Sequence, residues 1–130
     1  MRTRLSGPVL DCSDAIALAE FWATLLGWSV VDSASHPELG TWALVRSPDG
    51  RQKIELQGLA DYRSPVWPNT DGEQQMMMHL DVAVEDVDAA VTWVESLGGL
   101  LAAHQPRAGN RVMLDPAGHP FCLFPGPVDA

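Results

Sequence analysis

One pattern recurs along the chain and constrains its fold more than any other feature. The segment Asp14-Ala15-Ile16-Ala17-Leu18-Ala19-Glu20-Phe21-Trp22-Ala23-Thr24-Leu25-Leu26-Gly27 has a later counterpart. That counterpart is Asp86-Val87-Asp88-Ala89-Ala90-Val91-Thr92-Trp93-Val94-Glu95-Ser96-Leu97-Gly98. Aspartate 14 maps to 86 and glycine 27 to 98, so the register holds to within one residue. Self-similarity on this scale means that one supersecondary unit is used twice.

Both segments carry the period of an amphipathic helix. Leu18, Phe21, Trp22, Leu25 and Leu26 share one face of the first, and Val87, Ala90, Val91, Val94 and Leu97 share one face of the second. Trp22 and Trp93 are read as core residues on those faces. Ser13 or Asp14, and Glu85 or Asp86, supply the acceptors that the first amides of a helix need. Gly27 and Gly98 suit the left-handed position that ends one.

A strand pattern precedes each helix: Leu5 to Asp11 in the first copy and His79 to Val84 in the second, where Leu80, Val82 and Val84 alternate onto one face. Three further strands are expected after each helix. They are Ser29 to Ser33, Thr41 to Arg46 and Gln52 to Gln57, then Leu100 to Ala103, Arg111 to Leu114 and Pro120 to Phe124. The last two strands of each half are joined by Ser47-Pro48-Asp49-Gly50 and Asp115-Pro116-Ala117-Gly118, both suited to tight hairpins. The expected fold is therefore α+β, two tandem βαβββ modules at about 5–58 and 76–125, within one domain spanning 1–130. The linker at about 59–75 is rich in Pro, Asp, Gly and Asn and reads as a surface loop. Met76-Met77-Met78, at the start of the second module, is expected to be buried as strand.

Charge narrows the partners. With 17 acidic against 8 basic residues and a net charge of −9, the surface repels phosphate backbones, and no Lys/Arg cluster offsets this. Neither nucleic acid nor an anionic membrane is an expected partner. No apolar run approaches a bilayer span and the N-terminus lacks the pattern of a signal peptide, so a cytoplasmic location is expected. Cys12 and Cys122, outside any CxxC pair, read as reduced thiols.

With these elements placed, the sequence resembles the vicinal-oxygen-chelate superfamily of glyoxalases, bleomycin-resistance proteins and extradiol dioxygenases. The similarity rests on Leu10-Asp11-Cys12-Ser13-Asp14 through Phe21-Trp22 to Leu25-Leu26-Gly27-Trp28, and on Asp115-Pro116-Ala117-Gly118-His119-Pro120-Phe121-Cys122-Leu123. It looks most like the actinobacterial glyoxalase-like domain proteins. The resemblance implies two modules whose sheets curve into a cup around a small molecule, with helices outside, and it implies a homodimer. It also implies four inward-facing chelating positions, on the first and last strand of each module. In this chain they are Gly7, Glu55, His79 and Cys122, so the ligand set is incomplete at Gly7 and altered at Cys122. His79 and Glu55 remain as candidate metal ligands, and the implied cofactor is none, or a weakly held divalent metal.

Several residues are candidates for chemistry. His79 carries an imidazole, which suits a metal ligand or general base. Glu55, between Ile54 and Leu56, points opposite to them, and a carboxylate in a half-dry cup is expected to have a raised pKa and act as a base. Asp81 shares the face of His79. Arg111 is a candidate to neutralise one of these acids or hold an anionic group. Trp42, alternating with Leu44, is a candidate wall for a flat apolar ligand, Cys122 a further ligand-binding group, and Trp67 a lid or dimer contact.

Three functions remain open. One is a metal-independent protein that sequesters or acts on a small aromatic or amphipathic molecule. The second is a divalent-metal-dependent lyase, isomerase or dioxygenase. The third is a metal-free lyase or isomerase using Glu55 or His79 as acid and base.

Overall fold

The computed structural model describes residues 1–129. Its elements run β1 (Val9–Cys12), α1 (Ala15–Leu26), β2 (Ser29–His36), β3 (Gly40–Arg46), β4 (Lys53–Gly58), β5 (Leu80–Val84), α2 (Val87–Ser96), β6 (Leu100–Leu101), β7 (Arg111–Leu114) and β8 (Pro120–Pro125). These form two four-stranded sheets of matching order, β1-β4-β3-β2 and β5-β8-β7-β6. In each sheet the first strand runs parallel to the last, and the remaining pairs are antiparallel. The fold is α+β, two βαβββ modules. The chain divides into two compact units, Met1–Tyr62 and the remainder from Arg63 on.

Both helices start as the sequence dictates. Asp14 accepts from the amides of Ile16 and Ala17 in the first, and Asp86 from that of Ala89 in the second. Gly27 closes α1 in the left-handed region, at φ 67° and ψ 30°. In the first unit α1 buries Leu18, Phe21 and Trp22, and the sheet buries Ala43, Val45, Ile54 and Leu56. These alternate with Trp42, Leu44, Lys53, Glu55 and Gln57, which therefore lie on the sheet face away from the buried set. In the second unit Val94, Met113, Phe121 and Leu123 form the corresponding core. The two Pro-containing turns are alike: the amide of Gly50 bonds the carbonyl of Ser47 at 2.9 Å, and that of Gly118 bonds the carbonyl of Asp115 at 2.8 Å.

Some expectations are corrected. The first strand begins at Val9, after Pro8, which has no amide to donate to the ladder. β2 continues to His36, with a bulge between Val30 and Asp32 that leaves Val31 exposed. The Met76 to Met78 run lies ahead of β5, and Met77 and Met78 are 80% exposed rather than buried as strand. Trp93 is 48% exposed rather than core. It sits beside the stripe made by Val87, Ala90, Val91, Val94 and Leu97, and only Val94 of that stripe is fully buried.

Candidate metal and ligand site

In the first unit the candidate residues sit on β3 and β4. Alternation places Lys53 and Glu55 on one face of β4, and the antiparallel register sets Leu44 opposite Glu55 and Arg46 opposite Lys53. The Lys53 ammonium donates to the Glu55 carboxylate, and both side chains are largely covered, at 15% and 25% exposure. The Lys53 hydrogen bond holds Glu55 below its ordinary carboxylate pKa. Burial opposes the effect, and the Lys53 charge, a hydrogen bond from Trp42 and the Arg46 charge add to it. The raised pKa expected for Glu55 is thus corrected: burial does push upward, but a neighbouring cation outweighs it.

Gly7 lies against the same lysine. A Cβ added there would come 2.9 Å from the Lys53 carbonyl oxygen and 3.1 Å from its Cγ, at a φ of 144°. A ligating side chain does not fit at this position. The two positions of the first unit that the resemblance makes chelating are therefore a glycine without room for a donor and a carboxylate engaged by an ammonium. This half does not fit a metal.

The second unit differs. His79 precedes β5, Asp81 lies two residues on, and the parallel register sets Asp81 opposite Cys122 on β8. His79 Nε2 is 3.2 Å from Asp81 Oδ1, with both side chains exposed. One donor atom from each of His79, Asp81 and Cys122 lies within 4.8 Å of the other two. Burial, then the Asp81 charge, holds the Cys122 thiol above its ordinary pKa of 9.0; Arg107 acts in the opposite sense, and a hydrogen bond with Asp81 adds to the rise. An imidazole from just before β5, a carboxylate on β5 and a half-buried thiol on the adjacent β8 match the donor set of a divalent metal. In this half the residues fit.

The remaining candidates are placed as follows. Arg111 gives Nη1 to the carbonyls of Ala108 and Asn110, both at 2.8 Å, and strand alternation puts it on the face opposite Cys122. Trp42 is half-buried beside Glu55. Trp67 donates its indole N–H to the His104 carbonyl at 3.1 Å, and the two rings lie 5.8 Å apart within the second unit. Lys53 and Arg107 were not among the expected site residues. Lys53 is recoverable from alternation, since it lies two residues before Glu55. No pattern in the loop of Pro106 to Asn110 points to Arg107.

Among the described residues no helix is long and apolar enough to cross a membrane. The glyoxalase-like domain model matches residues 8–124. Solved structures share the fold at low identity. A glyoxalase family protein from Enterococcus faecalis is 20% identical, with 93% of this chain and 96% of that chain covered and a TM-score of 0.64. A mutant of the fosfomycin resistance protein of Listeria monocytogenes, complexed with Mn(II) and dihydroxypropylphosphonic acid, is 17% identical, with 98% and 95% covered and a TM-score of 0.69. The trypanothione-dependent glyoxalase I of Leishmania major is 16% identical, with 95% and 87% covered and a TM-score of 0.62. No curated protein sequence matches the chain. The family match spans nearly the whole chain, and the repeated βαβββ topology agrees with it: this chain belongs to the glyoxalase-like domain family.

Proposed function

We propose that the protein binds a small aromatic or amphipathic molecule and carries a degenerate metal site, reduced to the second module. The observation that carries this reading is the Lys53–Glu55 ion pair beside Gly7. With both chelating positions of the first module lost to metal, capture of the ligand rests on stacking and hydrogen bonding. Trp42 offers a half-buried indole for a flat ligand, and Lys53, Glu55 and Gln57 offer polar contacts on the same sheet face. A carboxylate held ionised by an ammonium is a weak base at neutral pH, which disfavours the acid/base enzyme through Glu55.

A screen of flat aromatic and amphipathic compounds by tryptophan fluorescence, in protein held in chelator, tests the reading. Saturable binding that weakens about tenfold in Trp42→Ala supports it, being the scale of one lost aromatic contact. Binding that requires added metal overturns it.

One observation favours a second reading, a divalent-metal-dependent lyase, isomerase or dioxygenase: the cluster of His79, Asp81 and Cys122. Metal-dependent turnover lost with His79→Ala distinguishes it from simple capture. We further propose that the protein is a cytoplasmic homodimer. Sedimentation tests the dimer, for which the exposed Trp93, Leu100 and Leu101 of the second unit supply apolar surface.

A further inference from the structure

We infer that His79, Asp81 and Cys122 form a site, complete within the second module, for a thiophilic divalent cation such as Zn2+ or Co2+ in preference to Mn2+. The inference rests on the part of the proposed reading that leaves a metal site in the second module and names the class of cation that site takes; it does not depend on capture of a small molecule.

Three observations carry it. The first is convergence: Asp81 on β5 and Cys122 on β8 are register partners, and His79 stands immediately before β5, with one donor atom of each within 4.8 Å of the others. The second is spacing. Zinc–nitrogen and zinc–oxygen bonds of about 2.1 Å at tetrahedral angles separate two donors by about 3.4 Å. His79 Nε2 and Asp81 Oδ1 stand 3.2 Å apart, close to that separation, and the Cys122 sulfur completes a set of donors within 4.8 Å of one another. The third is donor chemistry. Thiolate with imidazole selects Zn2+ and Co2+, whereas Mn2+ favours carboxylates, carbonyls and water. Asp81 supplies the oxygen from within the module, so the site does not draw on Glu55, which is engaged by Lys53. The exposure of His79 and Asp81 leaves coordination positions open to water or to a ligand oxygen. The net charge of −9 further favours a cation.

The test uses the full chain, stripped of metal and titrated with Co2+, Zn2+ and Mn2+ in turn. Co2+ is expected to produce a near-ultraviolet thiolate-to-cobalt charge-transfer band. The band is expected to vanish in Cys122→Ser and to persist in Cys12→Ala, whose thiol is buried in the first unit. Zn2+ is expected to bind about a hundredfold more tightly than Mn2+ and to raise the melting temperature. Asp81→Asn and His79→Ala, checked for folding by circular dichroism, are each expected to weaken Zn2+ about tenfold or more. Equal affinity for Mn2+ and Zn2+, cobalt binding without the band, a band that survives Cys122→Ser, or no binding of any of the three ions overturns the inference. Ligand capture in chelator is read separately, so its failure is distinguishable from failure of the metal site.

Discussion

Lys53 and Glu55, two residues apart on β4, point to the same sheet face and form an ion pair there, with the ammonium donating to the carboxylate. The pair gives stability a definite pH dependence. Glu55 is depressed below its ordinary pKa of 4.5 by this hydrogen bond, whereas an unfolded chain restores the ordinary value. Its contribution is therefore present above about pH 4.5 and is lost as pH falls through the lower folded-state value. Glu55→Gln is expected to lower stability at neutral pH and to flatten the acid limb below that pH. Urea unfolding of both proteins across the acid range checks this. Acid limbs of equal slope would remove Glu55 from the account.

Asp115 is expected to matter more to stability than any other carboxylate of the second unit. Its side chain is fully enclosed. Oδ1 accepts from the amides of Ala117 and His119, and Oδ2 lies 2.8 Å from His119 Nδ1. These contacts fix the turn between β7 and β8. Asp115→Ala leaves buried donors without this acceptor and is expected to cost about 2–3 kcal/mol. His119→Ala leaves both backbone bonds in place and is expected to cost less. Denaturant midpoints of the two variants give the ranking, and a larger loss in His119→Ala contradicts it.

Most of the fold was legible because the repeat, the caps and the hairpin turns are local signals. Asp14, Gly27, Asp86, Gly50 and Gly118 do what their chemistry requires of them. The site was less legible. Alternation puts Asp81 on the face of His79 and the resemblance pairs His79 with Cys122, but the close approach of Asp81 to Cys122 depends on the β5–β8 register, which periodicity alone does not give. For Glu55, burial alone points to a raised pKa, and the lowered one follows from the Lys53 ammonium on the same face. The exposure of Met77 and Met78 follows from where β5 begins, and strand boundaries are the weakest part of a sequence pattern.

The two helix tryptophans provide the sharpest test of what the repeat conserves. Counted from the leading aspartates, Trp22 corresponds to Val94, and both are fully buried. Trp93 corresponds instead to Phe21, which is buried on α1 and stacks edge-on with Trp22 at 5.5 Å between ring centroids. On α2 that position has turned outward: the shorter helix buries only Val94, so the adjacent position rides at the margin of the packed face. Trp22→Ala is thus expected to cost about 3–5 kcal/mol through lost burial and the cavity left behind. Trp93→Ala is expected to cost about 1 kcal/mol or less, because half of the ring already meets solvent. Thermal and urea unfolding of the two variants side by side decide the matter. Comparable losses would mean that Trp93 is covered in solution, most simply by a second copy of the chain, and a melting temperature that rises with protein concentration would identify that cover.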